Sequence, residues 1–340
     1  MLRLIFLPAM LLLLPLSPPA FAAGSAPDGY FTLQLENDKF VGTDRHYTHG
    51  TRLSWVWEDE SKVPGWVSGL LDRAYIFSTP RKKQMGIVLG QNIFTPENTL
   101  TQTLSAGDRP YAGWSYVGLS LHAEVDGTFL NRYFEALDTF EVDFGVVGPQ
   151  SYAKEAQNGI HRLIGTDEAH GWSHQLKNEP TANLMLERVW RSPTPHHAGM
   201  FEWDVLPALG FSLGNVHSHV GGGAVIRFGH ALDVDYGPPK IQPSLPGRAA
   251  FTTLGNREWG WYLYAGAEGR YVAHNLFLDG NTFTDSHSVE RNPWVADFRI
   301  GAVLTHGRVR IALTQVHRTR EFKGQRQGDD FGALTATIRF

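Results

Sequence analysis

Residues 35–55 read LENDKFVGTDRHYTHGTRLSW, two apolar-alternating stretches joined by a polar turn, the pattern of a β-hairpin. The turn gathers Glu36, Asn37, Asp38, Asp44, Arg45 and His46. Asp38 and Glu36 could supply the hard carboxylate oxygens that a calcium ion takes. The same residues equally describe an Asx-rich solvated loop, and the stretch alone leaves both readings open.

A second stretch with chemical potential is 148–180, GPQSYAKEAQNGIHRLIGTDEAHGWSHQLKNEP, too long for a turn. Its composition predicts a short helix over 153–164, with Ala156, Ile160, Leu163 and Ile164 on one apolar face. Such a helix could lie against the outside of a larger body or over its rim. His161 sits within it, between Ile160 and Leu163. A neutral imidazole can take a proton from water near neutral pH, although a lone histidine is more often structural. His170 and His174 have no distinctive spacing. The chain has neither a G-x-S-x-G nucleophile elbow nor an H-E-x-x-H zinc pair.

The elements that must position these residues read as strands. Residues 1–22 have a positive Arg3, an apolar run from Leu4 to Leu16 and an Ala20-Phe21-Ala22 cleavage signal, the marks of a secretory signal peptide. The rest, 23–340, is expected to be one domain. The chain has no cysteine, so neither disulfide nor thiol chemistry enters. A net charge of −4 argues against nucleic-acid binding. After the leader, no apolar run reaches the roughly 18 residues of a membrane-spanning helix.

About twelve segments of alternating hydrophobicity follow, near 29–38, 47–57, 84–93, 111–124, 139–147, 181–191, 201–213, 218–229, 260–272, 295–305, 308–317 and 331–340. In 295–305, Ala296, Phe298, Ile300 and Ala302 oppose Asp297 and Arg299. Charges recur at mid-strand on one face, at Arg227, Glu268, Arg270, Asp297 and Arg299. A sandwich core would reject them and a polar lumen accepts them. The chain stops at Phe340 immediately after an alternating strand, as outer-membrane barrels do. The expected fold is therefore all-β: a transmembrane antiparallel β-barrel of about twelve strands, with a short helix in an extracellular loop. An even strand count places loops 39–46, 94–110, 148–180, 214–217, 273–294 and 318–330 outside. Residues 63–77 suggest an amphipathic helix at the barrel base, and the Pro/Gly-rich piece 235–248 suggests a turn.

Taken together, ENDKF (36–40), TDRHYTHG (43–50), DRPYAGW (108–114), GPQSYAKEAQNGIHRLIG (148–165), GWSHQLKNEP (171–180), FLDGNTF (277–283), RTREFKGQ (318–325) and the terminal strand resemble the outer-membrane lipid A 3′-O-deacylase family over essentially the whole mature chain. The resemblance implies a twelve-stranded barrel and calcium-dependent hydrolysis of the ester holding the 3′ acyloxyacyl group on lipid A. It places the family's Asn-Asp pair on Asn37 and Asp38, its hydroxyl residue on Thr48 and its histidine on His161. An acidic position past the histidine falls at Asp167, beside Glu168. Calcium would then be held by Asp38, Asn37 and Asp167, although another divalent ion is possible at such a site. The implied partner is lipid A or lipopolysaccharide in the outer leaflet of a bacterial outer membrane, with the site facing outward and the protein a monomer. Arg45, Arg109 and Lys154 read as exposed loop cations suited to lipid A phosphates. The alternatives are another outer-membrane lipid esterase, acting on phospholipid or a different acyl position, and a non-enzymatic barrel or porin.

Overall fold

The computed structural model describes residues 29–38, 46–74, 79–129, 132–241, 254 and 257–340. The expected leader, 1–22, and Arg45 lie outside these residues.

Among the described residues the strands are β1 (Gly29–Asn37), β2 (His46–Trp57), β3 (Thr79–Thr95), β4 (Ala112–Phe129), β5 (Arg132–Val147), β6 (Glu179–Arg191), β7 (His196–Ala198), β8 (Phe201–Gly214), β9 (His217–His230), β10 (Trp259–Asn275), β11 (Trp294–His306), β12 (Val309–Arg318) and β13 (Asp329–Arg339). All pairings are antiparallel. β13 returns to β1 and β6 pairs with β8, so twelve strands close a barrel, as the alternation predicts. β7, not foreseen, only extends the β6–β8 hairpin by pairing with the start of β8. Three helices accompany the wall: α1 (Gly65–Ala74), α2 (Ala153–Ile164) and α3 (Leu276–Asp279).

The two faces of the wall are chemically opposite. Leu89, Leu119, Phe144, Leu209, Leu263, Ile300 and Leu313 are exposed on the outside, a lipid-facing belt. Aromatic pairs sit at both rims, Trp55 with Phe340 at one and Tyr271 with Trp294 at the other.

The inside is packed and polar. Every mid-strand charge named from the sequence is buried there. Arg270 and Arg318 share Asp297 at 3.0 and 2.8 Å. Arg52 donates twice to Glu141, at 2.8 and 2.6 Å. A buried charge is tolerable only when paired and hydrogen-bonded, and these are.

Both ends of the lumen are stopped by the chain itself. At the rim with the long loops, α3 folds inward and Phe277 stacks on Phe94 at 4.1 Å, next to Trp114. At the other rim, residues 231–241 turn up into the barrel. Ala231, Leu232, Val234, Asp235 and Ile241 are all buried. Asp235 is the keystone: its carboxylate takes Arg227 and, at 2.6 Å, Arg310, and accepts from Tyr262 and the Gly237 amide. Lys240 bridges Glu187 and Glu268 at 2.6 and 2.8 Å. Of the expected turn, 235–248, residues 235–241 bend within the lumen, where Asp235 and Lys240 find partners that water would otherwise provide; 242–248 lie outside the described residues.

Candidate functional site

The site is built on the outside of the wall at the long-loop rim. Asn37, His49, Ile93 and Gly113 are successive cross-strand neighbours on β1, β2, β3 and β4. They share the face of exposed Leu89, opposite lumen-facing Glu36 and Phe94. The Asn37 amide nitrogen donates to His49 Nδ1 at 3.4 Å, and His49 Nε2 donates to Thr51 Oγ1 at 2.7 Å. This arrangement turns the Asn37 carbonyl oxygen away from His49.

Thr48 falls in a register shift between Tyr47 and His49. Bulges re-aim side chains, and here the Thr48 hydroxyl meets Thr95 Oγ1 at 2.7 Å. Asp38 follows β1 directly and is 1% exposed.

Over this row lies α2. Its approach is a 3-10 turn, Pro149–Ser151, whose Ser151 carbonyl accepts from Gln91 at 2.7 Å and Ser115 at 2.8 Å. Tyr152 adopts φ 55°, a left-handed bend that sends the helix back across the wall. Ala153 rests on Gly113, where only a glycine leaves room. Ala153 and Ala156 then pack with Ile93, Tyr111, Ala169 and Trp172. The helix thus starts over β4 and continues over β3. It ends at Gly165, left-handed at φ 71°, and the Thr166 amide returns to the His161 carbonyl at 2.9 Å.

The predicted helix bounds are borne out, and of the apolar face Ala156 packs against the wall while Ile160 and Leu163 do not follow it. They are exposed, Leu163 by 86%. The small residues face the wall, together with polar side chains that find partners. Gln157 accepts from the Trp172 indole at 2.9 Å, and Asn158 accepts from the Ala169 amide at 3.1 Å. Lipid outside the barrel removes the usual penalty on an exposed leucine, so the apolar face need not be the buried one.

His161 is 3% exposed and shares this inward face. Its Nδ1 lies 2.6 Å from the Asp167 main-chain oxygen. A carbonyl cannot donate, so Nδ1 carries the hydrogen and Nε2 the lone pair. That is the tautomer a proton acceptor needs.

Asp167 thus meets His161 through its backbone, while the residue itself is exposed. Among the described residues no group of three or more His, Asp or Glu side chains could hold a metal. A cation here would rest on the Asp38 carboxylate with amide, hydroxyl or main-chain oxygens. That donor set suits calcium in kind and not zinc.

Of the expected phosphate cations, Lys154 is exposed on α2. Arg109 is not an exposed loop cation. It is fully buried, 4.7 Å over the Phe94 ring, with Glu321 at 3.3 Å. Burial pushes its guanidinium down from the ordinary value, with Glu321 opposing. Sequence reading also passed over His49, Thr95 and Gly113. The glycine alone left a trace, as the only small residue in PYAGW placed to admit a helix.

The family described as "Outer membrane protein LpxR" matches residues 5–340. Among solved structures, LpxR from Salmonella typhimurium is similar with a TM-score of 0.71 and 20% identity, covering 92% of this chain and all of that one. The β domain of the Bordetella autotransporter BrkA gives a TM-score of 0.43 at 7% identity, over 93% of this chain and all of that one. No curated protein sequence matches. With nearly the whole chain matched, the protein belongs to the outer membrane protein LpxR family.

Proposed function

We propose that this protein is an outer-membrane lipid A deacylase that hydrolyses the 3′-linked acyloxyacyl ester, with His161 as the base. One observation carries the reading. A histidine whose Nδ1 is tied to the Asp167 carbonyl, leaving Nε2 to accept a proton, is carried by a helix seated on the outer face of β3 and β4, the strands that continue the wall from Asn37 and Thr48. A lipid substrate can reach such a site sideways from the leaflet, without entering the lumen. The filled lumen speaks against a porin.

In the chemical step, His161 Nε2 accepts a proton from water as the water oxygen attacks the acyl carbonyl. The tetrahedral intermediate then breaks its bond to the sugar oxygen, which takes the proton back from His161. The products are a carboxylic acid and a free sugar hydroxyl. The Asp167 carbonyl stabilises the transient imidazolium through Nδ1–H and keeps the ring aligned. Thr48 and Thr95, buried and linked by their hydroxyls, would help to orient the water. Calcium, when bound by Asp38 and Asn37, would supply positive charge for the developing oxyanion. Lys154 and Arg45 are the proposed contacts for lipid A phosphates. Residues 1–22 would be the cleaved leader, 23–340 the monomeric barrel, and the α2 rim the extracellular side.

The test is the mass of lipid A from cells making the protein. Loss of the 3′ acyloxyacyl mass is expected. An unchanged lipid A spectrum, with folded barrel confirmed, overturns the reading; loss of another acyl chain or of phospholipid acyl groups transfers it to a different esterase.

A further inference from the structure

We propose that the loop between β12 and β13 is a second substrate contact, in which Arg320, Lys323 and Arg326 bind anionic groups on the sugars above the lipid anchor. The inference rests on the lipid A reading and adds a subsite to it.

The loop is a pinned scaffold and not a loose solvated turn. The Thr319 amide donates to the Ala296 carbonyl at 2.9 Å and the Lys323 amide to the Glu290 carbonyl at 2.9 Å. Asn292 holds the loop twice, through its amide to the Glu321 carbonyl at 2.7 Å and its side chain to the Arg320 carbonyl at 2.8 Å. Gln325 accepts from the Glu321 amide at 2.6 Å and donates to Asp329 at 2.8 Å. Phe322 is buried against the His46 ring, and Gly324 lies on the Gly107 carbonyl of the neighbouring loop.

This frame sorts the charges by sign. The carboxylates of Glu321 and Asp329 turn inward, to Arg109 and to His46. Arg320, Lys323 and Arg326, three residues apart, all stay exposed. Among the described residues Arg320 and Lys323 have no carboxylate partner, and Arg326 has only Glu97 at 3.9 Å. Asp330 at the loop base is engaged by His317 at 3.0 Å. A chain of net charge −4 thus presents three ordered cations on one loop.

Height identifies the ligand. Gly332 of β13 is opposite Asn37, and the loop ends at Asp329, three residues further along the strand. At roughly 3.3 Å per residue along strands tilted by about 40°, the base of the loop lies about 8 Å above the catalytic row, and the loop carries the cations from there. A lipid whose ester lies at Asn37 carries its sugars at that level. Phosphate or carboxylate groups on those sugars match the charge and the spacing; two sources exist, the lipid A disaccharide itself and acidic sugars attached beyond it, and the height favours the second.

The experiment compares core-bearing lipopolysaccharide with bare lipid A, both in detergent micelles. The triple variant Arg320→Gln, Lys323→Gln, Arg326→Gln is set against wild type. Exposed ion pairs are individually weak, so three together should raise KM for the core-bearing substrate about tenfold. KM for bare lipid A and kcat for both should stay within about twofold. Added salt should erase the wild type's preference for the core-bearing substrate and leave the variant unchanged. Equal KM rises on both substrates would overturn the proposal in favour of lipid A phosphates, and no rise on either would leave only solubilising charges. If wild type cleaves neither substrate, the deacylase reading fails by itself. Retention of core-bearing lipopolysaccharide over bare lipid A by immobilised protein, lost in the variant, then still decides the binding claim.

Discussion

A Cβ at Gly113 would stand 2.1 Å from that of Ala153, so β4 and α2 touch at the closest approach their backbones permit. The helix that holds His161 is therefore registered on the wall at its first residue, and His161 is eight positions further along. Gly113→Val should lift α2. Misplacing a catalytic group by about 1 Å costs on the order of a hundredfold in rate. Turnover should fall by about that much while the barrel keeps its heat-modifiable gel migration. Unchanged turnover would show that α2 seating does not matter.

His161→Gln keeps hydrogen bonding and much of the size but loses the basic nitrogen. Turnover should drop by roughly two to four orders of magnitude, the usual contribution of a general base, with thermal stability little changed. Near-normal turnover with a lower melting temperature would make His161 a structural residue instead.

Asp38→Ala removes the carboxylate proposed for the cation. Activity should drop to near background with the fold preserved, and chelator added to wild type should mimic the substitution. Calcium should restore chelated wild type and not the variant. Activity that survives chelation would remove the metal from the mechanism.

Asp235→Ala takes a carboxylate partner from Arg310 and one of two from Arg227, which keeps Asp204, inside the lumen. Breaking a buried ion pair by removing one partner costs about 3–5 kcal/mol, so the plug over 231–241 should loosen. In planar bilayers wild type should be silent and the variant should show intermittent conductance. A conducting wild type would contradict the sealed lumen described above.

Much of the wall was legible because lipid outside and charge inside impose a period of two on every strand. All twelve wall strands overlap their predicted segments. β7 was illegible because three residues at a hairpin tip carry no period. The turn was legible but its place in the lumen was not, because a Pro/Gly-rich segment looks the same whether it turns in water or in a lumen; Asp235 and its partners distinguish the two. Arg109 was misread for a related reason: its partner Glu321 is 212 residues away. In the site, helical periodicity placed α2 but could not say which face a lipid-exposed helix buries. Thr48 stood out only through the family resemblance, because a bulge leaves no mark in composition.

The barrel seam has a consequence for how the protein is made. Almost every wall pairing joins strands adjacent in sequence, so hairpins can zip up locally as the chain arrives. The β1–β13 seam differs: Thr32 meets Thr337 across 305 residues. Joining such distant ends carries an entropic cost that grows only with the logarithm of the span, but it must be met before any seam bond forms. Closure is therefore the slow, late event. Until it happens, an open sheet offers two unpaired edges, β1 and β13, to any strand nearby. The Asn37–Asp38 end of β1 lies on that edge. The rim strand that carries Asn37 therefore gains its second neighbour, β13, only as the cylinder shuts.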